Sequence, residues 1–130
     1  MPSHTIKRLL KQPLYNILLD MKEPGLKENE KSAVLKLKEA LQGKFHLIDF
    51  LMFGSRARGN AAQDSDIDIM IEIEEYNRET VSEIDNMVFV INLAYDCFIS
   101  TVIFGRKELE EGPLSESPIY KAIEKEGIRL

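Results

Sequence analysis

The sequence predicts an α/β (α+β) domain, a small mixed β-sheet flanked by helices. Three observations carry this. Residues 66–74 alternate strictly, with Ile67, Ile69, Ile71 and Ile73 on one face and Asp66, Asp68, Met70, Glu72 and Glu74 on the other, the two-residue period of a strand. Apolar residues at helical spacing recur on both sides of that stretch. The segments run helix, helix, strand, strand, helix, strand, helix, an order that covers a sheet with helices. A chain of 130 residues has the length of one domain, read here as a helical extension over residues 1–25 and the domain proper over residues 26–130.

The elements follow in order. Ile6, Leu9, Leu10, Leu14, Ile17 and Leu18 form an apolar stripe over residues 6–21, and Pro13 kinks it or divides it into two shorter helices. That stripe needs a partner surface, on this chain or on a second copy. Glu23-Pro24-Gly25 signals a turn. A helix is expected over residues 28–42, with Ala33, Val34, Leu37, Ala40 and Leu41 inward, a Lys/Glu-rich solvated face outward and Gly43 as its stop. Residues 45–53, dense in Phe, Leu and Ile, read as a strand. The link from Phe53 to Asp66 is too long for a tight hairpin, so it reads as a functional loop with room for a short helical turn. A helix over residues 78–94 is marked by Ile84, Met87, Val88, Ile91 and Leu93, and a third strand spans 97–104. Ser117 reads as an N-cap and Pro118 as the first helical position of a last helix over residues 119–125, stopped by Gly127.

Composition excludes several classes. With 17 Lys+Arg against 22 Asp+Glu, the net charge is −5 and the pI about 5.1, the wrong sign for bulk nucleic-acid binding. Template-directed polymerisation is not expected, since 130 residues leave no room for a separate domain to hold a primer duplex and the net charge has the wrong sign. The single cysteine, Cys97, makes neither an internal disulfide nor a zinc site and reads as a small buried hydrophobe. No apolar run approaches the roughly 18 residues of a membrane span, and the N-terminus lacks the features of a signal peptide. The expectation is a soluble cytoplasmic protein with no membrane partner. His4 and His46 have no neighbours at ligand spacing, and Tyr15, Tyr76, Tyr95 and Tyr120 read as packing or surface residues rather than nucleophiles.

The chemistry concentrates in Gly54-Ser55-Arg56-Ala57-Arg58-Gly59 and Ser65-Asp66-Ile67-Asp68. Gly54 permits close backbone approach by a ligand, and Ser55 is placed to cap a short helix whose N–H groups face an anion. Arg56 and Arg58 are candidate phosphate contacts that also stand to offset nearby acids. Asp66 and Asp68, alternate residues of a strand, lie on one face roughly 7 Å apart. Two hard oxygen donors opposite a phosphate-binding turn suit Mg²⁺, which binds through one or two carboxylates plus substrate phosphates. A pair of such ions can clamp the attacking and leaving oxygens of a phosphoryl or nucleotidyl transfer.

This string resembles the signature of the DNA polymerase beta-like nucleotidyltransferase superfamily, and in its fuller form the minimal nucleotidyltransferase (MNT) branch, over roughly residues 33–130. The resemblance implies binding of a nucleoside triphosphate, ATP first among candidates, with Mg²⁺. It implies transfer of the nucleoside monophosphate to a hydroxyl of a protein or small molecule, releasing pyrophosphate. Gly54 and Ser55 would hold the triphosphate. Asp66 and Asp68 would be the catalytic metal ligands of a two-ion site, one bridging both ions. A helical HEPN-type protein is the implied partner, with the chain as antitoxin to a ribonuclease toxin, and some such pairs work by transferring AMP to a tyrosine of the toxin.

The same resemblance calls for a third carboxylate on the strand over residues 97–104. That strand has no acid, and Ser100 falls where the carboxylate is expected. Asp96 shares its parity but lies some 13 Å away along a strand, and Glu72 shares the face of Asp68 farther from the Asp66 end. The alternative reading is therefore a nucleotidyltransferase-fold interaction protein, catalytically weak or inactive, that binds and neutralises a helical partner.

Overall fold

The computed structural model describes residues 25–59 and 65–130. The apolar stripe over 6–21 and the extension as a unit lie outside the described residues. The elements are α1 (Glu28–Lys44), β1 (Leu47–Phe53), α2 (Gly54–Arg58), β2 (Ile67–Ile73), α3 (Arg78–Tyr95), β3 (Ile99–Gly105), α4 (Arg106–Glu111), a 3₁₀ turn (Pro113–Glu116), α5 (Pro118–Glu126) and β4 (Ile128–Arg129). The four strands form one mixed sheet in the order β3-β2-β1-β4. β1 pairs antiparallel with both β2 and β4. β2 and β3 pair in parallel across the α3 crossover.

Strand alternation sorts the side chains into two layers. Phe50, Met52, Ile67, Ile69, Ile71, Ile73 and Ile99 join Ala33, Val34, Leu37 and Leu41 of α1 and Ile84, Val88 and Ile91 of α3 in the larger core. Cys97 belongs to it as well; burial first, then the nearby charges of Glu30 and Asp96, push its thiol pKa up. Each large side chain sealed here stabilises the fold by roughly 1.5–3 kcal/mol. On the other face Leu51, Met70 and Phe104 pack with Leu109 of α4 and Tyr120 and Ile123 of α5 in a smaller cluster. That second cover is shorter, and among the described residues it does not extend over the Asp68 end of the face.

Local chemistry explains the ends of the elements. Asn77 Oδ1 accepts the Thr80 N–H at 2.9 Å and Thr80 Oγ1 accepts the Asn77 N–H at 3.0 Å, a reciprocal cap that starts α3. Ser117 Oγ accepts the Tyr120 N–H at 3.2 Å, with Pro118 as the first helical residue. Gly43 does not stop α1, which runs on to Lys44. The chain leaves that helix extended at Phe45 (φ −130°), so no left-handed glycine is needed there. β3 begins at Ile99 rather than at 97, because α3 runs to Tyr95 and closes with Asp96 in the left-handed conformation (φ 55°). α4, the 3₁₀ turn and β4 are additions to the sequence-based order.

Candidate active site

The site is built where β1 ends. Gly54 turns the chain with φ +75°, and a Cβ added there would collide with the Asp68 carboxylate. Glycine is thus required twice, by the backbone and by its neighbour. Ser55 lies inside α2 as its second residue and does not cap it; Phe53 holds the cap position. This corrects the capping role expected for Ser55, which stays half-buried beside Gly54.

Across the sheet, Phe53 of β1 stands opposite Asp68 of β2, and Asp68 stands beside Ser100 of β3. All three therefore point to the same face. Asp66 is exposed just before β2, and Asp68 is half-buried. Burial raises the Asp68 pKa, the nearby Asp66 charge raises it further, and Arg58 offsets part of the rise. The two carboxylates thus feel each other, and the open face carries unbalanced negative charge.

The two arginines part company. Arg56 is 3% exposed, and all five of its N–H donors are taken. Nε donates to Ser65 Oγ at 3.0 Å, Nη1 to the Gly25 carbonyl and to Glu30 Oε1, both at 2.8 Å, and Nη2 to Glu30 Oε2 at 3.1 Å and the Ser65 carbonyl at 2.8 Å. It has no donor left for a phosphate, so its expected nucleotide contact is corrected to a positioning role. It ties both ends of the 56–65 loop to the first turn of α1. Sequence reading missed Glu30, which looked like one more acid on a solvated helix face. Arg58 is half-exposed, bonded to Glu126 Oε1 at 3.1 Å, and its charge reaches Asp68.

Neither alternative third acid reaches the site. Asp96 closes α3 and is exposed, its carbonyl accepting from Asn29 Nδ2 at 3.2 Å. Glu72 is 1% exposed, opposite Asp49 and Phe104 farther along the same face. Ser100 occupies the position beside Asp68.

A family profile described as nucleotidyltransferase domain matches residues 34–128, a span holding the turn, both acids and Ser100. The chain belongs to this nucleotidyltransferase family, within the polymerase beta-like superfamily. A Methanocaldococcus jannaschii protein named "putative protein adenylyltransferase" is 33% identical over 88 residues, covering 62% of this chain and 88% of its own length. The family generally uses divalent metal ions. Among the described residues no group of three or more His, Cys, Asp and Glu is arranged to hold one. Asp66 and Asp68 are the two acids that could take a single hard cation, which phosphates and water would complete. A second ion would find Ser100 where it needs a carboxylate.

Proposed function

We propose that this nucleotidyltransferase moves the nucleoside monophosphate of an NTP, with ATP as donor, onto a hydroxyl of a protein acceptor, with Mg²⁺ held by Asp66 and Asp68. The observation that carries the reading is the seating of the Asp68 carboxylate against Gly54, in register with Ser100 and within the field of Asp66. The turn that would carry a triphosphate and the acids that would carry its cation are thereby one site. The protein acceptor is supported by the name of the Methanocaldococcus relative.

The acceptor oxygen bonds to the α-phosphorus, the bond from that phosphorus to the β-bridging oxygen breaks, pyrophosphate leaves and the hydroxyl proton passes to water. Mg²⁺, held by Asp66 and Asp68, would neutralise charge on the phosphate oxygens. The chain's own residues position the reactants: Gly54 and Ser55 at the turn, Arg58 beside it, Arg56 holding the loop. Such positioning and charge stabilisation dominate phosphoryl-group chemistry.

A second reading is favoured by Ser100. Lacking the third acid, the chain acts chiefly by binding a helical HEPN-type partner, with slow transfer or none. One experiment separates the two. Labelled ATP and Mg²⁺ are incubated with candidate protein acceptors, comparing the natural chain with Asp66→Ala/Asp68→Ala. Transfer lost at least a thousandfold in the double variant supports the enzyme. Transfer that survives it rejects the site, and Mg²⁺-dependent ATP binding without any transfer selects the binding protein.

A further inference from the structure

Among the described residues β3 is one of the two outer strands of the sheet, β4 being the other. In its parallel pairing with β2, the Phe98 carbonyl accepts the Ile67 N–H at 2.9 Å, so Phe98, Ser100, Val102 and Phe104 turn their backbone groups inward. Ile99, Thr101 and Ile103 turn theirs outward. The Asn92 side chain serves the first of these, accepting the Ile99 N–H at 2.8 Å and donating to its carbonyl at 3.1 Å. The outward groups of Thr101 and Ile103 have no partner among the described residues. Edge strands are normally protected by charge, proline or a bulge. Ile99–Gly105 contains no charged residue and no proline, and its register against β2 is unbroken.

This bare edge borders the acids. Ser100, one strand from Asp68, is exposed. Phe98 is 70% exposed, and strand alternation puts it on the same face as Ser100, at the entrance to the edge. We propose that an extended segment of the protein acceptor adds to the Thr101–Ile103 edge as a fifth strand. Backbone hydrogen bonds would supply affinity, as in other β-augmented complexes. A side chain opposite Ser100 on the added strand projects onto the acid face from about 10 Å beyond Asp68, two strand spacings away. That is within reach of a tyrosyl hydroxyl directed at a phosphate between them. The acceptor is thus recognised by extended backbone, in line with the site, rather than by charge. The inference rests on the protein-acceptor reading above, and the bonds formed and broken are those given there.

The test uses the full chain and a synthetic peptide, acetyl-Lys-Thr-Val-Tyr-Val-Thr-Glu-amide, as probe. Amide exchange at Thr101 and Ile103 is expected to slow at least tenfold on adding the peptide, with or without ATP. Labelled AMP is expected to pass to the peptide tyrosine. Thr101→Pro, which deletes an outward N–H, and Thr101→Lys, which places charge on the edge, are both expected to reduce peptide labelling at least tenfold while Mg·ATP binding is retained. Unchanged exchange with peptide, or full labelling in the folded variants, overturns the proposal. Protection at both amides before peptide is added also overturns it. If that protection grows with protein concentration the edge is occupied by a second copy, and if it persists on dilution the edge is covered by this chain. Slowed exchange without any Mg·ATP binding would leave the docking edge standing and reject the transferase reading instead.

Discussion

The two faces of the sheet differ in what covers them and therefore in what they can do. On one, α1 and α3 seal an apolar layer, and the ion pair at its rim is complete, with Arg56 spending every donor on Glu30, Gly25 and Ser65. On the other, two short helices reach only part of the way, and Asp66 and Asp68 are left beside each other with Arg58 as a partial counter-charge. The loop between the faces belongs to both. Arg56 and Ser65 are held together on the closed side, while Gly54 lies against the Asp68 carboxylate of the open one. Acids with satisfied partners hold structure, and the acids left in excess are those proposed above to take a cation.

The largest effect should come from breaking the closed side. Arg56→Met leaves Glu30 buried without its guanidinium, and losses of this kind cost about 3–5 kcal/mol. A urea midpoint measured at pH 7 checks it; a change below about 1 kcal/mol would mean that the pair is not the anchor described here. The pair also sets an acid limb. Burial acts to raise the Glu30 pKa, but its hydrogen bonds with Arg56 and the Lys27 N–H, and the charge of Arg56, outweigh that and lower it below 4.5. Its contribution is therefore whole above about that pH and is lost as pH falls through the lowered value. Glu30→Gln should flatten stability in that window.

Next comes the seam between the faces. Gly54→Ala forces a left-handed residue to carry a Cβ, at roughly 1–2 kcal/mol, and displaces the Asp68 carboxylate as well. The measured signature is a twofold one: a lower midpoint, and Mn²⁺ affinity reduced more than the midpoint accounts for. Normal Mn²⁺ affinity in a destabilised protein would detach Gly54 from the acid site.

The open side can be sharpened by adding to it. Ser100→Asp places a carboxylate in register beside Asp68, where a second ion lacks one. Mn²⁺ binding followed by paramagnetic relaxation should tighten about tenfold, roughly 1.4 kcal/mol, and nucleotidyl transfer should rise with it. A loss of both would mean that the serine is used as it stands.

Much of this contrast was legible in the chain. The strict alternation over 66–74 indicated which residues share a face, and the Gly-Ser turn and Asp68, both picked out in the sequence, come together in the structure. The unread parts have physical reasons. Arg56 and Glu30 are 26 positions apart, and nothing local distinguishes an arginine that will be buried from one that will meet a phosphate. α4, the 3₁₀ turn and β4 are too short to show a period; β4 is held as strand by pairing with β1 and by the Arg129–Asp49 bond of 2.9 Å. Gly43 carried a stop signal that tertiary context did not use. The bare edge of β3 was visible only once its place in the sheet was known.

The smallest effect on stability, and the one that tests the comparison most directly, is Asp68→Asn. The folded pKa of Asp68 lies above its ordinary 3.8, chiefly through burial and then through Asp66. The carboxylate therefore ionises less readily in the folded chain than in the unfolded one. Between that ordinary value and the raised one the folded state loses stability as pH climbs, and above it the whole penalty is present. This is the opposite slope to that of Glu30. Asparagine carries no such penalty and keeps nearly the same shape beside Gly54. At pH 7 the variant should match or exceed the natural chain, by no more than about 0.5 kcal/mol, and the difference should shrink below pH 3.8. Transfer activity should fall by orders of magnitude in the same sample. A stable protein with a dead site is what an acid kept for a cation predicts; a drop of more than about 1 kcal/mol would place Asp68 with Glu30 among the structural acids and remove the basis for the site.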